Sequence, residues 1–276
     1  MKGEDGIHLC QPDVSKSCGA CCGLYNYADS TREALTIQLR NRTRLFREMV
    51  KTPDDLGAFS GAIKEREPGE KLYEVIYCCE YLGFLDSGEK RVGCLLHPLQ
   101  NDGVDMRGVS FYGVELCDGH FCPSYHFISR EEKRALIRII DDWYLYGLCI
   151  TDIDLVKEYF RFISEGIYEV VRPERLDGRL RDIALDFFSL KISWPFRSPD
   201  TNRFGKYYFD GSQYMISHID YDALGCKRSR FDKIFLSLTS RFRNRDELRR
   251  GEEIIQNNID EFVAWYTMDV TGDGRT

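Results

Sequence analysis

No stretch of the 276-residue sequence approaches the ~20 consecutive apolar residues of a bilayer span, and the N-terminal Met1-Lys-Gly-Glu-Asp-Gly-Ile-His carries no apolar secretory core. We therefore expect a cytoplasmic protein with no membrane partner. Excess positive charge is also lacking: 38 Lys plus Arg stand against 45 Asp plus Glu, a net charge of -7. That balance argues against a nucleic-acid partner, and the local basic runs Arg172–Arg181 and Arg241–Arg250, interleaved with acids at helix starts, read as solvated faces. Missing too are a Gly-x-Ser-x-Gly elbow, a phosphate-binding Gly-Lys-Ser/Thr loop and a His-Glu-x-x-His helix. The adjacent acids Asp141 and Asp142 face different directions on a helix and read as surface residues. Internal repeats, low-complexity tracts and Gly/Ser linkers are absent.

What the sequence has in excess is cysteine, 11 in all. Nine of them fall at or before Cys122, where an even scatter would place about five. In a reducing compartment such clusters more often bind metal or do redox chemistry than cross-link a fold, and an odd total suits disulfide pairing poorly.

The most specific motif is Cys18-Gly19-Ala20-Cys21-Cys22-Gly23. A Cys-x-x-Cys turn brings two sulfurs to the separation that a tetrahedral metal needs, and Gly19 and Gly23 permit a tight backbone there. Adjacent side chains diverge, so one turn does not easily aim both Cys21 and Cys22 at one ion. A third thiolate at Cys22 suggests a second metal or a polynuclear cluster; the bland alternative is that it packs beneath the site. Downstream come Cys79, Cys94, Cys117 and Cys122, the last two flanking Asp118-Gly-His-Phe. The metal-ligand candidates are thus Cys18, Cys21, Cys22, Cys79, Cys94, Cys117 and Cys122, more thiolates than one zinc or one four-iron cluster takes. Cys10 and Cys78 are reserves; His97, His120 and His126 are ligands or supporting residues. Cys149 and Cys226 read as core thiols.

The run Cys18-Gly-Ala-Cys-Cys-Gly, Cys79-Glu-Tyr-Leu-Gly-Phe-Leu-Asp, Arg91-Val-Gly-Cys94-Leu-Leu-His97-Pro98 and Cys117 to Cys122 resembles the YkgJ-type cysteine-cluster family. That resemblance spans roughly residues 10 to 126. It implies a zinc- or iron-chelating domain, and some related chains are associated with flagellin lysine N-methylation and an iron–sulfur cluster. One departure stands out: the family often has a further cysteine four residues before the core motif, where this chain has Val14, with Cys10 nearby as the substitute.

Capping signals at Ser30 with Glu33 and at Thr52-Pro53 with Asp55 predict helices that form an insertion over about 30–66, ending at a Pro68-Gly69 turn. Tyr73–Cys78 reads as a strand, Arg91–Pro98 as a second extended piece after an Asp86-Ser-Gly turn, and 98–126 as mostly loop. Beyond a composition shift near 128, Ser129 with Glu132 opens a helix carrying Leu136, Ile139, Ile140, Trp143 and Tyr144. Further helix starts are expected at Thr151, Pro173 and Asn244, with a hairpin about 204–217 around Asp210-Gly211. The expected fold class is α+β: a loop-rich cysteine-cluster module over 1–128, then a mainly helical region over 129–276 with one hairpin. The expected function is chelation of zinc or an iron–sulfur cluster. A redox or protein-modifying enzyme of the flagellin-methylase kind and a zinc-stabilised interaction module with a protein partner are the alternatives.

Overall fold

A computed structural model describes residues 6–67, 69–200, 203–210 and 213–272. Its elements run α1 (Arg32–Met49), α2 (Leu56–Arg66), β1 (Leu82–Phe84), β2 (Val92–Cys94), α3 (Gly113–Gly119), α4 (Ser124–Phe127), α5 (Arg130–Ile139), α6 (Trp143–Ile150), α7 (Ile153–Ile167) and α8 (Gly178–Ser193). They end with β3 (Arg203–Phe204), β4 (Tyr207–Asp210), β5 (Gln213–Ile216), α9 (Asp232–Ser237) and α10 (Arg245–Gly272). The fold is therefore mixed helix and sheet. It divides into two compact units, one holding the chain up to Tyr125 together with Asp142–Gly147, the other His126–Asp141 together with Leu148 onward.

In unit 1, α1 starts one residue later than its sequence signal. The Asp29 carboxylate accepts from the Thr31 amide and hydroxyl, and Thr31, not Ser30, caps the Ala34 N–H at 3.3 Å. The Thr52/Asp55 capping box forms as its residues dictate. Pro68 lies outside the described residues. Helices α1 and α2 are more than an insertion, because Leu45, Phe46, Leu56, Phe59 and Ile63 make one apolar cluster with Tyr81, Leu95, Leu96 and Cys79. Phe59 packs edge-on to Phe46 at 5.3 Å and stacks on Tyr81 at 5.6 Å.

Tyr73–Cys78 is not a strand. The Asn26 side chain bonds the Tyr73 amide at 3.0 Å and the Tyr73 and Ile76 carbonyls at 2.9 Å, folding the segment into a turn that leaves Val75 72% exposed. The strand pair forms beyond it, Leu82 opposite Cys94 and Phe84 opposite Val92. Asp86 closes this hairpin by accepting from the Gly88, Lys90 and Arg91 amides. A second departure lies at 98–126, which carries two short helices, α3 and α4, rather than loop throughout.

In unit 2 the Ser129/Glu132 capping box opens α5. The predicted single helix breaks after Ile139, and Asp142, which with Trp143–Gly147 belongs to unit 1, caps the Leu145 N–H at 2.9 Å and starts α6 afresh. Asp152 rather than Thr151 caps α7, and Asn244 caps α10 through the Glu247 N–H at 2.9 Å. Helices α7, α8 and α10 enclose an aromatic core in which Tyr159 stacks on Phe187 at 3.9 Å with Phe188 and Phe262 around it. The expected hairpin is present as β4 and β5, Tyr207 opposite Ile216 and Asp210 opposite Gln213. Strand β3 extends it to three strands, and Gly211 of its turn lies outside the described residues.

Candidate metal centre

The turn bearing the adjacent cysteines is a single 3-10 turn, Ala20–Cys22, closed by the Cys22 N–H to Gly19 carbonyl bond at 3.1 Å and the Gly23 N–H to Ala20 carbonyl bond at 2.9 Å. With about three residues per turn, the adjacent Cys21 and Cys22 side chains leave this turn roughly a third of a turn apart. Gly23 stops the turn at φ +79°, and a Cβ there would be driven into the Tyr77 carbonyl oxygen. A side chain is excluded at position 23 on both counts. Gly19 has an ordinary φ of -114°; what keeps it small is the nearby Leu24 and Leu82 side chains.

By their electrostatic neighbours the cysteines fall into two overlapping groups of four, which Cys10 links because it is also a weak neighbour of Cys22. In the first, the Cys18 amide donates to the Cys10 carbonyl at 2.9 Å, and the Tyr125 amide donates to the Cys122 carbonyl at 3.0 Å. The Tyr125 hydroxyl ties the two pairs together: it accepts from the Cys10 amide at 3.4 Å and donates to Cys10 Sγ at 3.7 Å. Cys10, Cys18 and Cys122 are mutual electrostatic neighbours, and Cys21 completes the set through a thiol hydrogen bond to Cys122. In the second set, the Cys79 amide donates to the Cys22 carbonyl at 2.9 Å, and the sheet register brings Cys94 opposite Leu82, three residues after Cys79. Cys22, Cys79 and Cys94 border the apolar cluster of α1 and α2. Cys117, on α3, is an electrostatic neighbour of both Cys22 and Cys94.

Burial dominates the acid–base state of these thiols. It pushes Cys10 and Cys18 upward, Cys22 well upward, Cys79 up to about 12 and Cys94 up to about 11, with neighbouring cysteines adding to the effect. Cys122 moves the other way. The Cys21 thiol donates to it, the Ser124 side chain and the Ser124 and Tyr125 amides add to that, and its thiol is held well below the usual range while that of Cys21 rises. No three or more His, Cys, Asp or Glu side chains among the described residues form a group that could hold a metal ion. Each set is therefore a group of electrostatic neighbours and not a coordination shell. Its donor chemistry nonetheless suits one class of guest, because four deprotonated thiolates are the ligand set of tetrahedral zinc and of iron–sulfur clusters.

All seven cysteines named from the sequence fall in the two sets. Cys10, held in reserve there, is the eighth. Cys78 turns away, with its Sγ on the Asn26 side-chain amide at 3.5 Å. No histidine is among the strongest electrostatic neighbours of these thiols. His97 Nδ1 caps the Leu99 amide at 3.1 Å, while His120 and His126 are exposed. Cys149 is fully buried in unit 2 and donates to the Phe188 carbonyl at 3.8 Å; Cys226 is half-buried there.

Two positioning residues carried no sequence signal. Asn26 shapes the turn that leads into Cys78 and Cys79. Arg42, 3% exposed, donates to the Cys79 carbonyl at 3.0 Å while paired with Glu67 at 2.6 Å and with the Tyr27 hydroxyl at 2.7 Å. No helix among the described residues is long and apolar enough to cross a membrane. Comparison of the chain with family models, with curated proteins and with solved structures finds no match.

Proposed function

We propose that the chain is a metal-chelating cysteine-cluster protein with two four-thiolate centres, Cys10, Cys18, Cys21 and Cys122 holding one and Cys22, Cys79, Cys94 and Cys117 the other. What supports this reading is the adjacent pair on one 3-10 turn: Cys21 has Cys122, Cys18 and Cys10 as its charged neighbours, and Cys22 has Cys79, Cys94 and Cys117 ahead of Cys10. Eight thiols in two fours match the capacity of two centres, whereas a buried apolar role for all eight would not gather them by fours. A four-thiolate zinc site supplies folding free energy and leaves no open position for a substrate, and an iron–sulfur cluster on the same ligands supplies one-electron chemistry.

The chain's own contribution is to hold the sulfurs near one another and to ease their ionisation. Cys122, with its amide and hydroxyl donors, is the natural first thiolate of its set. The amides of Tyr81 and Leu96 point at Cys79 and Cys94 and oppose the effect of burial there.

Anaerobic purification, elemental analysis and a visible absorption spectrum test the reading. The expected result is about two zinc per chain, or iron with cluster absorption, and loss of about half the metal in Cys21→Ser and in Cys22→Ser separately. Absence of both metals, or retention of the full content in both variants, refutes the proposal.

A further inference from the structure

In unit 2, α5, α7, α9 and the chain just after α7 border a cavity of about 460 Å³ that no cysteine lines. Small-molecule sites span roughly 300–1,000 Å³, so the space is large enough for one. The helical period sets Lys157, Phe160, Arg161 and Ser164 on the side of α7 that faces it. Ala135 of α5, Phe160 and Val171 are buried and give it an apolar floor, and Val170, 63% exposed, adds apolar surface on its open side.

Charged groups complete the wall, and their hydrogen bonds are unevenly spent. The buried Glu158 carboxylate is engaged at both oxygens: one accepts from Arg161 Nε and Nη2 at 3.0 and 2.5 Å, the other from Lys233 Nζ at 2.9 Å. Arg161 places its Nη1 on Glu165 at 2.5 Å. Glu132 accepts from the Ser129 amide at 2.8 Å in the capping box of α5, and Glu131 is exposed to water. Lys157, by contrast, lies 3.8 Å from Glu132, outside hydrogen-bond reach. Lys233 spends one of its three N–H groups on Glu158. Two ammonium groups therefore keep donors at the cavity that no carboxylate takes up.

We propose that this cavity binds an amphipathic anion of the fatty-acid type, its chain on Ala135, Phe160 and Val171 and its carboxylate held by Lys157 and Lys233. An anionic headgroup gains charge-assisted hydrogen bonds from donors that stand unused, whereas a cationic one would have to displace Arg161 or Lys233 from the buried Glu158. A wholly polar anion would leave the apolar floor facing water, which a hydrocarbon chain covers. The site lies in unit 2 and is independent of the metal reading.

Isothermal titration calorimetry on the full chain tests this, with decanoate, butyrate and decylammonium as the probes. Decanoate is expected to saturate one site with a Kd below about 1 mM, and butyrate and decylammonium to bind at least about tenfold more weakly. Lys157→Met, which keeps the stem and removes the ammonium, should weaken decanoate about fivefold, and its combination with Lys233→Gln at least about tenfold. Val170→Asp, which sets a carboxylate against the ligand's own, should weaken it about threefold. Lys157 is 48% and Val170 63% exposed, so both single variants are expected to keep the wild-type denaturant midpoint and to serve even where the double variant does not fold. Phe111→Ser, on the exposed apolar surface of unit 1, should change nothing. The proposal is overturned by decanoate that fails to saturate below about 5 mM, by decylammonium binding as tightly, by full-strength binding in both Lys157→Met and Val170→Asp, or by equal weakening in Phe111→Ser.

Discussion

Unit 2 packs Tyr159, Phe187, Phe188 and Phe262, each fully buried, into one aromatic core, whereas the run 107–122 of unit 1 buries no apolar side chain and contributes two thiols instead. The contrast extends to their polar groups. In unit 2 the half-buried Asp152 is fully paired, accepting from Lys191 at 2.6 Å, from the Ser237 hydroxyl at 2.8 Å and from the Leu155 amide at 3.1 Å. In unit 1 the thiols are packed near one another, and burial together with neighbouring thiols raises most of them. A region that burial stabilises by itself has no need of a guest. On the reading proposed above, one that collects eight thiols, most of them buried or half-buried, would be stabilised by a cation taking their protons' place.

The largest expected effect separates the two. Chelation of metal from the loaded protein should cost unit 1 on the order of 10 kcal/mol, the scale of structural zinc sites, and leave exchange protection of α7, α8 and α10 as it was. Parallel loss in unit 2 would erase the distinction. Next in size, Asp152→Asn should destabilise unit 2 by roughly 3 kcal/mol at neutral pH, since it leaves the Lys191 ammonium buried without its carboxylate. Burial opposes ionisation of Asp152, but Lys191 and the Ser237 and Leu155 donors outweigh it and hold the carboxyl below its ordinary value. Its contribution is therefore fully present above an unfolded pKa of about 3.9 and is lost as pH falls through the lower folded value, so the gap between variant and wild type should close in acid. Denaturant titrations across pH measure this; a gap that widens in acid would contradict the assignment. The smallest effect is expected from Cys78→Ser combined with Cys226→Ser, which lie outside both sets: metal content should stay at the wild-type value, read by elemental analysis.

Much of unit 1's organisation was legible because cysteine chemistry is local. The divergence of Cys21 from Cys22 follows from adjacency alone, and the 3-10 turn realises it. Cys10 was not legible as an equal member, since it reaches Cys18 through a backbone bond across a loop with no periodic pattern. Tyr73–Cys78 has strand-like residues, yet one side-chain amide, from Asn26 far back in the sequence, captures its backbone groups before any strand partner does. The apolar spacing located the helices of unit 2, but capping by Asp142, a residue of unit 1, cut one predicted helix into α5 and α6, a choice that turns on a single carboxylate. Helices α1 and α2 read as an insertion because they interrupt the cysteine order; only tertiary packing reveals them as the apolar cluster against which Cys22, Cys79 and Cys94 rest.

Gly23 has a consequence beyond its own backbone. The turn it terminates supplies Cys21 to one set and Cys22 to the other, and the Tyr77 carbonyl leaves no room for a side chain there. On the proposed reading, the two centres would be one target to mutation: a change at this single position would strike both at once, and the pair would be inherited or lost together.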